Sequence, residues 1–156
     1  MAEKPKHLGA GTYGCVYGPP IKCREACNDP RCKTGVSKWM SKDYADQEVR
    51  EYENLLLEEV DPEATFHIAK PYQCDPDLEA LPLKKCSVIR DVKDSSLLLY
   101  QHGGIDMAKL MLQGGITLKE VLTGLENIFR GVMVMSAKKR YHFDIKPENI
   151  VYKDGV

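Results

Sequence analysis

Eight residues towards the end of the chain, His142-Phe143-Asp144-Ile145-Lys146-Pro147-Glu148-Asn149, carry the groups that transfer of a phosphoryl group to a hydroxyl requires. That reaction needs a carboxylate to orient the nucleophile and accept its proton. It also needs a cation near the transferring phosphate and oxygen ligands for Mg2+. Asp144, Lys146 and Asn149 supply these at spacings of two and five residues. A polar loop after a helix could hold the same residue types. The complete string, placed roughly 130 residues after a glycine-rich turn, favours chemistry over a bland loop.

That turn is Gly9-x-Gly11-x-x-Gly14-x-Val16. Glycines so spaced let the backbone approach a phosphate closely and point N–H groups at its charge. A dinucleotide-binding fingerprint would open a helix after its glycines. Here Cys15-Val16-Tyr17 reads as a returning strand, so the pattern is strand, loop, strand. Lys38, on the following strand Gly35 to Met40, is flanked by apolar residues and is the cation placed to hold α and β phosphates. A helix glutamate must hold that lysine, and Glu48, Glu51 and Glu53 are the candidates. Counting back from Val60-Asp61-Pro62 favours Glu53, which shares a helix face with Val49, Leu56 and Val60.

Elements must place these groups. Residues 18–34, with three prolines and three cysteines, read as an irregular insertion. Helical spacing of Val49, Tyr52, Leu56 and Val60 predicts a helix over 43–60, ended by Asp61-Pro62. Strands are expected near Phe66-His67-Ile68, near Cys86 to Arg90, and at Ser96 to Tyr100. A short helix over 106–113 is closed by Gly114-Gly115. Thr117 and Glu120 form a capping box opening a helix over 117–139. Its apolar face is Leu118, Val121, Leu122, Leu125, Ile128, Phe129 and Val132. Ile150-Val151-Tyr152 is a strand, and Lys153-Asp154-Gly155 is the turn of a hairpin that Val156 begins to close. Strands followed by helices give an α+β chain, a small sheet lobe joined to a helical one.

Composition removes several classes. A net charge of −1 argues against broad electrostatic binding to nucleic acid or anionic lipid. No run approaches the roughly 20 apolar residues that cross a bilayer, and the polar start, Met1 to His7, has no signal-peptide core. An intracellular, reducing compartment is expected, with the six cysteines as ordinary thiols. Cys23-x3-Cys27-x4-Cys32 is three ligands where a zinc site takes four; Cys74, Cys86 or a histidine could supply the fourth.

From Gly9 to its last residue the chain resembles the eukaryotic protein kinase superfamily. Gly9, Gly11, Gly14 and Val16 match the glycine-rich loop, Lys38 the strand-3 lysine, and Glu53 its helix-C partner. Residues 142–149 match the catalytic loop. The resemblance implies Asp144 as catalytic base, Lys146 as the serine/threonine-type lysine, and Asn149 as a metal ligand. It implies ATP and Mg2+ as cofactors and a protein serine or threonine as acceptor, with no nucleic acid or membrane partner. The segment Gly103-Gly104-Ile105-Asp106 is similar to the hinge of the haspin family. By that likeness Tyr100 is the gatekeeper, Gln101 and Gly103 offer backbone groups to adenine, and Asp106 meets the ribose. The Val60-Asp61-Pro62 segment and the cysteine insertion also resemble kinases of large DNA viruses. The compartment would then be the cytoplasm or nucleus of a host cell. The implied fold is kinase-like: an antiparallel N-lobe with helix C over 1–102, and an incomplete helical C-lobe over 103–156.

Two departures from the family qualify this. Phe143 replaces the arginine that pairs with an activation-loop phosphate, so control by that phosphorylation is not expected. Only seven residues follow Asn149, whereas the family's Asp-Phe-Gly lies about a dozen beyond it, so an incomplete domain is expected. Two other readings are a nucleotide- or partner-binding module without catalysis, and a metal-binding module built on Cys23, Cys27 and Cys32.

Overall fold

A computed structural model describes residues 3–81 and 86–153. The chain is α+β and divides into two compact units, Met1–Tyr52 with Ala69–His102 and Glu53–Ile68 with Gly103–Val156. The last boundary along the chain falls at His102/Gly103, and 53–68 belongs with the second unit.

In the first unit, β1 (Lys6–Ala10), β2 (Gly14–Gly18), β3 (Val36–Ser41), β4 (Tyr72–Cys74) and β5 (Ser95–Tyr100) form one sheet. Its order is β1-β2-β3-β5-β4, and every neighbouring pair is antiparallel. Strand periodicity of two sends alternate side chains to opposite faces. On one face Cys15, Tyr17, Trp39, Leu97 and Leu99 form a core with Ile21, Leu81 and Cys86. On the other, Met40 and Leu98 pack on Ala45 of α2 (Lys42–Asn54), with Val49 and Tyr100 at the margin. Covering both faces explains why Ser95 to Leu99 is buried without a break.

The insertion therefore has a structural task. Residues 19–34, which include the short helix α1 (Arg31–Thr34), help roof the first face, where Trp39 and Tyr17 are fully buried. Polar groups around Trp39 are paired, as burial demands, whereas the Tyr17 hydroxyl finds no partner among the described residues. The Trp39 indole N–H donates to Ser95 Oγ at 2.8 Å, Ser95 donates to the Val92 carbonyl at 2.6 Å, and Ser37 Oγ accepts from the Ile21 amide at 2.9 Å.

The expectation of reduced thiols is not met. Disulfides join Cys15 to Cys86, Cys23 to Cys74, and Cys27 to Cys32, and no cysteine is free. Sequence spacing could not reveal the first two, because they link positions 71 and 51 residues apart that only the fold brings together.

Three element expectations are also corrected. The helix over 43–60 is broken: α2 ends at Asn54, Leu56 takes a left-handed conformation (φ 51°), and α3 restarts at Leu57–Val60. No strand forms near 66–68. Instead Thr65, Phe66 and His67 wrap the Asp61 carboxylate, at 2.7, 2.9 and 2.7 Å. Residues 86–90 form turns and bends, and the strand beside β5 is Tyr72–Cys74.

In the second unit, β6 (Ile105–Asp106) leads into α4 (Met107–Gln113), followed by α5 (Leu118–Ala137), a 3-10 turn (Pro147–Asn149) and β7 (Val151–Tyr152). The capping box forms as expected: Thr117 Oγ1 accepts from the Glu120 amide at 3.2 Å, and Glu120 Oε2 accepts from the Thr117 amide at 2.7 Å. The expected core face of α5 does not form a core. Leu118, Leu122, Leu125, Phe129 and Val132 are exposed, while Gly131 and Met135 are buried. Phe66 is seated on Gly131, where a Cβ would stand 2.7 Å from its ring. The expected hairpin return at 154–156 lies outside the described residues. No helix among the described residues is long and apolar enough to cross a membrane.

Candidate functional site

The glycine-rich segment is a strand-turn-strand. β1 and β2 pair antiparallel, and the Gly11 amide donates to the Gly14 carbonyl at 2.9 Å across the turn. β1 extends through Ala10, so Gly9 lies within a strand where a loop was expected to open. The glycines differ in what the fold asks of them. A Cβ on Gly14 would stand 2.6 Å from the Trp39 carbonyl, so close strand packing alone requires glycine there. Around Gly9 a Cβ would meet nothing within 4 Å, and around Gly11 only the Gly14 carbonyl at 4.0 Å. Those two positions leave backbone open to a visitor. Val16, on β2, stands opposite Lys38 of β3.

Lys38 is a partly buried cation at the middle of the sheet, with Val16 on one side and Leu98 on the other. Its ammonium pairs with Glu48 Oε2 at 2.5 Å. The lysine partner is thus Glu48 where Glu53 was favoured. Counting back from Val60 assumed one continuous helix, and the break at Leu56 puts that count out of register. The face that packs on the sheet is set by Ala45 and Val49, and Glu48 stands three residues after the first of these. Glu53 is exposed at the last turn of α2.

Tyr100 closes this group. Its hydroxyl donates to Glu48 Oε1, so one carboxylate holds both the lysine and the tyrosine. Burial, and then the Glu48 charge, push the phenol far above its ordinary value, keeping it a neutral donor. Sequence reasoning assigned Tyr100 to nucleotide access and did not connect it to the lysine-holding glutamate. Its register gives the signal: Tyr100 lies two residues from Leu98, on the same face.

The segment after β5 reads differently. Gln101 is exposed. A Cβ on Gly103 would stand 2.7 Å from Val151 Cγ2, and one on Gly104 (φ +95°) would stand 2.0 Å from the Tyr152 carbonyl. Gly104 is required by the approach of the β7 backbone and by its positive φ, whereas Gly103 meets only side chains. Asp106 caps α4, its Oδ1 accepting from the Lys109 amide at 2.9 Å and its Oδ2 pairing with the Lys109 ammonium at 2.7 Å. Those contacts hold its carboxyl below the usual aspartate value.

Residues 142–149 form a connected loop. Asp144 Oδ1 pairs with Lys146 Nζ at 2.9 Å. Asn149 Nδ2 donates to Asp144 Oδ2 at 2.8 Å and to the Asp144 carbonyl at 2.9 Å, and the Asp144 amide donates to His142 Nδ1 at 3.2 Å. Lys146, Asn149 and His142 together hold the Asp144 carboxyl below its ordinary value, the lysine most, and Asp144 raises Lys146 in return. Pro147 opens the 3-10 turn that brings Asn149 back over Asp144, and the Ile105–Asp106/Val151–Tyr152 pairing anchors the far side. With its amide nitrogen committed to Asp144, Asn149 keeps Oδ1 as the side-chain atom able to ligate a cation. Oxygen from Asn149 and Asp144 is the hard donor set that Mg2+ takes, so these residues fit the metal.

The structure thus groups Lys38, Glu48 and Tyr100 in the first unit, and Asp144, Lys146 and Asn149 in the second. No family model matches the chain, and no curated protein matches it.

Proposed function

We propose that the chain is the nucleotide-holding and phosphoryl-transferring part of an ATP-dependent serine/threonine protein kinase. The observation that carries the reading is the Asp144–Lys146–Asn149 loop: a cation and a side-chain amide N–H both held on one carboxylate and open to solvent.

Each residue has a definable task. Glu48 fixes the Lys38 ammonium so that it is ordered before a triphosphate meets it. Gly9 and Gly11 carry no side chain beside the β1–β2 turn, so a phosphate can come close to it. Mg-ATP, when bound, supplies the phosphoryl group, and its metal neutralises developing charge. Asp144 accepts a hydrogen bond from the acceptor hydroxyl and takes its proton as the oxygen attacks. A carboxylate held low by Lys146 is a weak base, so its larger contribution is orientation. Lys146 meets the charge that builds on the moving phosphoryl oxygens. Asn149 keeps Asp144 in one rotamer and offers Oδ1 to the metal.

Calorimetric titration with Mg-ATP, beside transfer of labelled phosphate to a mixed serine/threonine peptide pool, tests the proposal. The chain should bind nucleotide. Lys38→Ala should weaken that binding, and Asp144→Asn should remove transfer while leaving affinity nearly intact. No nucleotide binding by the unaltered chain would overturn the proposal. Binding without transfer would favour a nucleotide- or partner-binding module.

A further inference from the structure

We propose that Cys23, Cys27, Cys32 and Cys74 form a four-thiolate Zn2+ site when the chain is reduced, the two disulfides being the oxidised form of the same sulfur cluster. Cys23 and the Cys27–Cys32 pair belong to different disulfides, yet the three sulfurs all lie within 4.8 Å of one another. Two independent disulfides have no reason to bring three sulfurs together, whereas a shared ion does. Cys74 stands outside this three-sulfur group in the oxidised chain, one S–S bond from Cys23, and is the thiolate released beside it on reduction. Tetrahedral zinc with Zn–S bonds of about 2.3 Å sets its sulfurs roughly 3.8 Å apart.

The backbone gathers these four residues without help from the S–S bonds. The Arg24 amide donates to the Asp75 carbonyl at 2.8 Å and the Asp77 amide to the Lys22 carbonyl at 2.9 Å, with Cys23 bridged to Pro76 between them. Those bonds hold Cys23 beside Cys74 on the sheet edge. The Cys32 amide donates to the Asp29 carbonyl at 3.0 Å, and the Asp29 carboxylate holds the Arg31 amide at 2.9 Å, which closes the Cys27–Cys32 loop. Position also selects the fourth ligand. Cys86 is sequestered with Cys15 in the sheet core, whereas Cys74 is bonded to a member of the sulfur group. A four-thiolate zinc carries two negative charges, and Lys22 and Lys33 flank the cysteines in the chain.

The interconversion balances. Each disulfide takes two electrons and two protons from a dithiol reductant, which leaves as its own disulfide. Zn2+ then displaces four thiol protons.

The test uses the full chain, reduced with excess dithiol, freed of it without oxygen, and titrated with Co2+ and then Zn2+. One Co2+ per chain should bind with the absorption of a tetrahedral four-thiolate centre, and Zn2+ should displace it. Cys74→Ser should weaken metal binding at least tenfold, and Cys15→Ala should not. Alkylation mapping of the unaltered zinc-loaded chain is the second readout, for use if a variant fails to fold. Cys15 and Cys86 should be the only residues that gain no protection from the metal. Failure of the reduced chain to bind Co2+ tetrahedrally, or protection of a different set of cysteines, would overturn the proposal.

Discussion

Asp61 follows α3, and its carboxylate accepts the Thr65 hydroxyl, the Phe66 amide and the His67 ring nitrogen, all within 2.9 Å. Burial alone would raise its pKa, but the hydrogen bonds from Phe66, Thr65 and His67 outweigh it and leave the carboxyl at about 2, against an ordinary 3.8. At about 1.4 kcal/mol for each tenfold change in proton affinity, the folded state gains about 2 kcal/mol from holding the ionised form. The folded value is the depressed one, so this stabilisation is complete above the ordinary value. It falls away as the pH drops towards 2, with about half left near pH 3. Asp61→Asn keeps the shape but turns an NH2 towards groups that are themselves donors, so the loss at pH 7 should be about 2–3 kcal/mol. Urea unfolding followed by far-ultraviolet circular dichroism reads the unit directly, because it contains the 20-residue helix α5. A loss below about 0.5 kcal/mol at pH 7, the range of ordinary surface changes, would refute the reasoning. So would a loss of equal size at pH 3 and pH 7.

Other substitutions separate the remaining assignments. Glu48→Gln removes the charge that holds Lys38 and should weaken Mg-ATP binding by about tenfold or more, the scale of one charge-assisted hydrogen bond; calorimetry that finds the affinity unchanged removes Glu48 from the role. Asp144→Asn should slow phosphate transfer by about 10²–10⁴, the usual contribution of a positioned acid or base, with ATP affinity held, and an unaffected rate would dismiss Asp144. Cys15→Ala opens a link between residues 71 apart and should lower stability by up to about 4 kcal/mol, read from Trp39 fluorescence in denaturant. Gly104→Ala drives a Cβ to 2.0 Å from the Tyr152 carbonyl at φ +95° and should cost upwards of about 2 kcal/mol; a variant as stable as the parent would show that β7 can retreat freely.

Legibility in the sequence followed the range of the physics. The strands around Cys15–Tyr17, Val36–Met40 and Ser96–Tyr100 show through because alternation and β-branched or aromatic content are local. The capping box at Thr117 and Glu120 is equally local and is present as read. What failed needed information from elsewhere in the chain. Val49, Tyr52, Leu56 and Val60 keep helical spacing across Leu56, yet the break there moves the lysine-holding residue from Glu53 to Glu48. Leu118, Leu122 and Phe129 predicted a core, but apolar periodicity states which residues share a face and not whether anything covers it. Phe66-His67-Ile68 is strand-like in composition and is diverted by Asp61, an acceptor that composition cannot show to be buried. Two of the three cysteine pairs join positions 71 and 51 residues apart, so spacing was silent about them.

The residues singled out by sequence divide into those the fold itself requires and those it does not. Gly14 and Gly104 are fixed by backbone approach, and Asp106 by its place at the start of α4, so each would be selected in a protein with no nucleotide at all. Their agreement with a kinase pattern therefore adds little weight. Asp144 and Lys146 are the opposite case. Their side chains are 63% and 48% exposed, and an ion pair so open adds little to stability. Stability gives no reason for a carboxylate, a cation and an amide to converge in one solvent-facing loop, and chemistry does. Lys38 is intermediate: sheet packing would accept an apolar side chain beside Val16 and Leu98, yet the chain places a cation there and commits Glu48 to it, with Tyr100 behind. The functional reading therefore rests on two clusters that folding does not call for, and the glycine and hinge likenesses could be removed without weakening it.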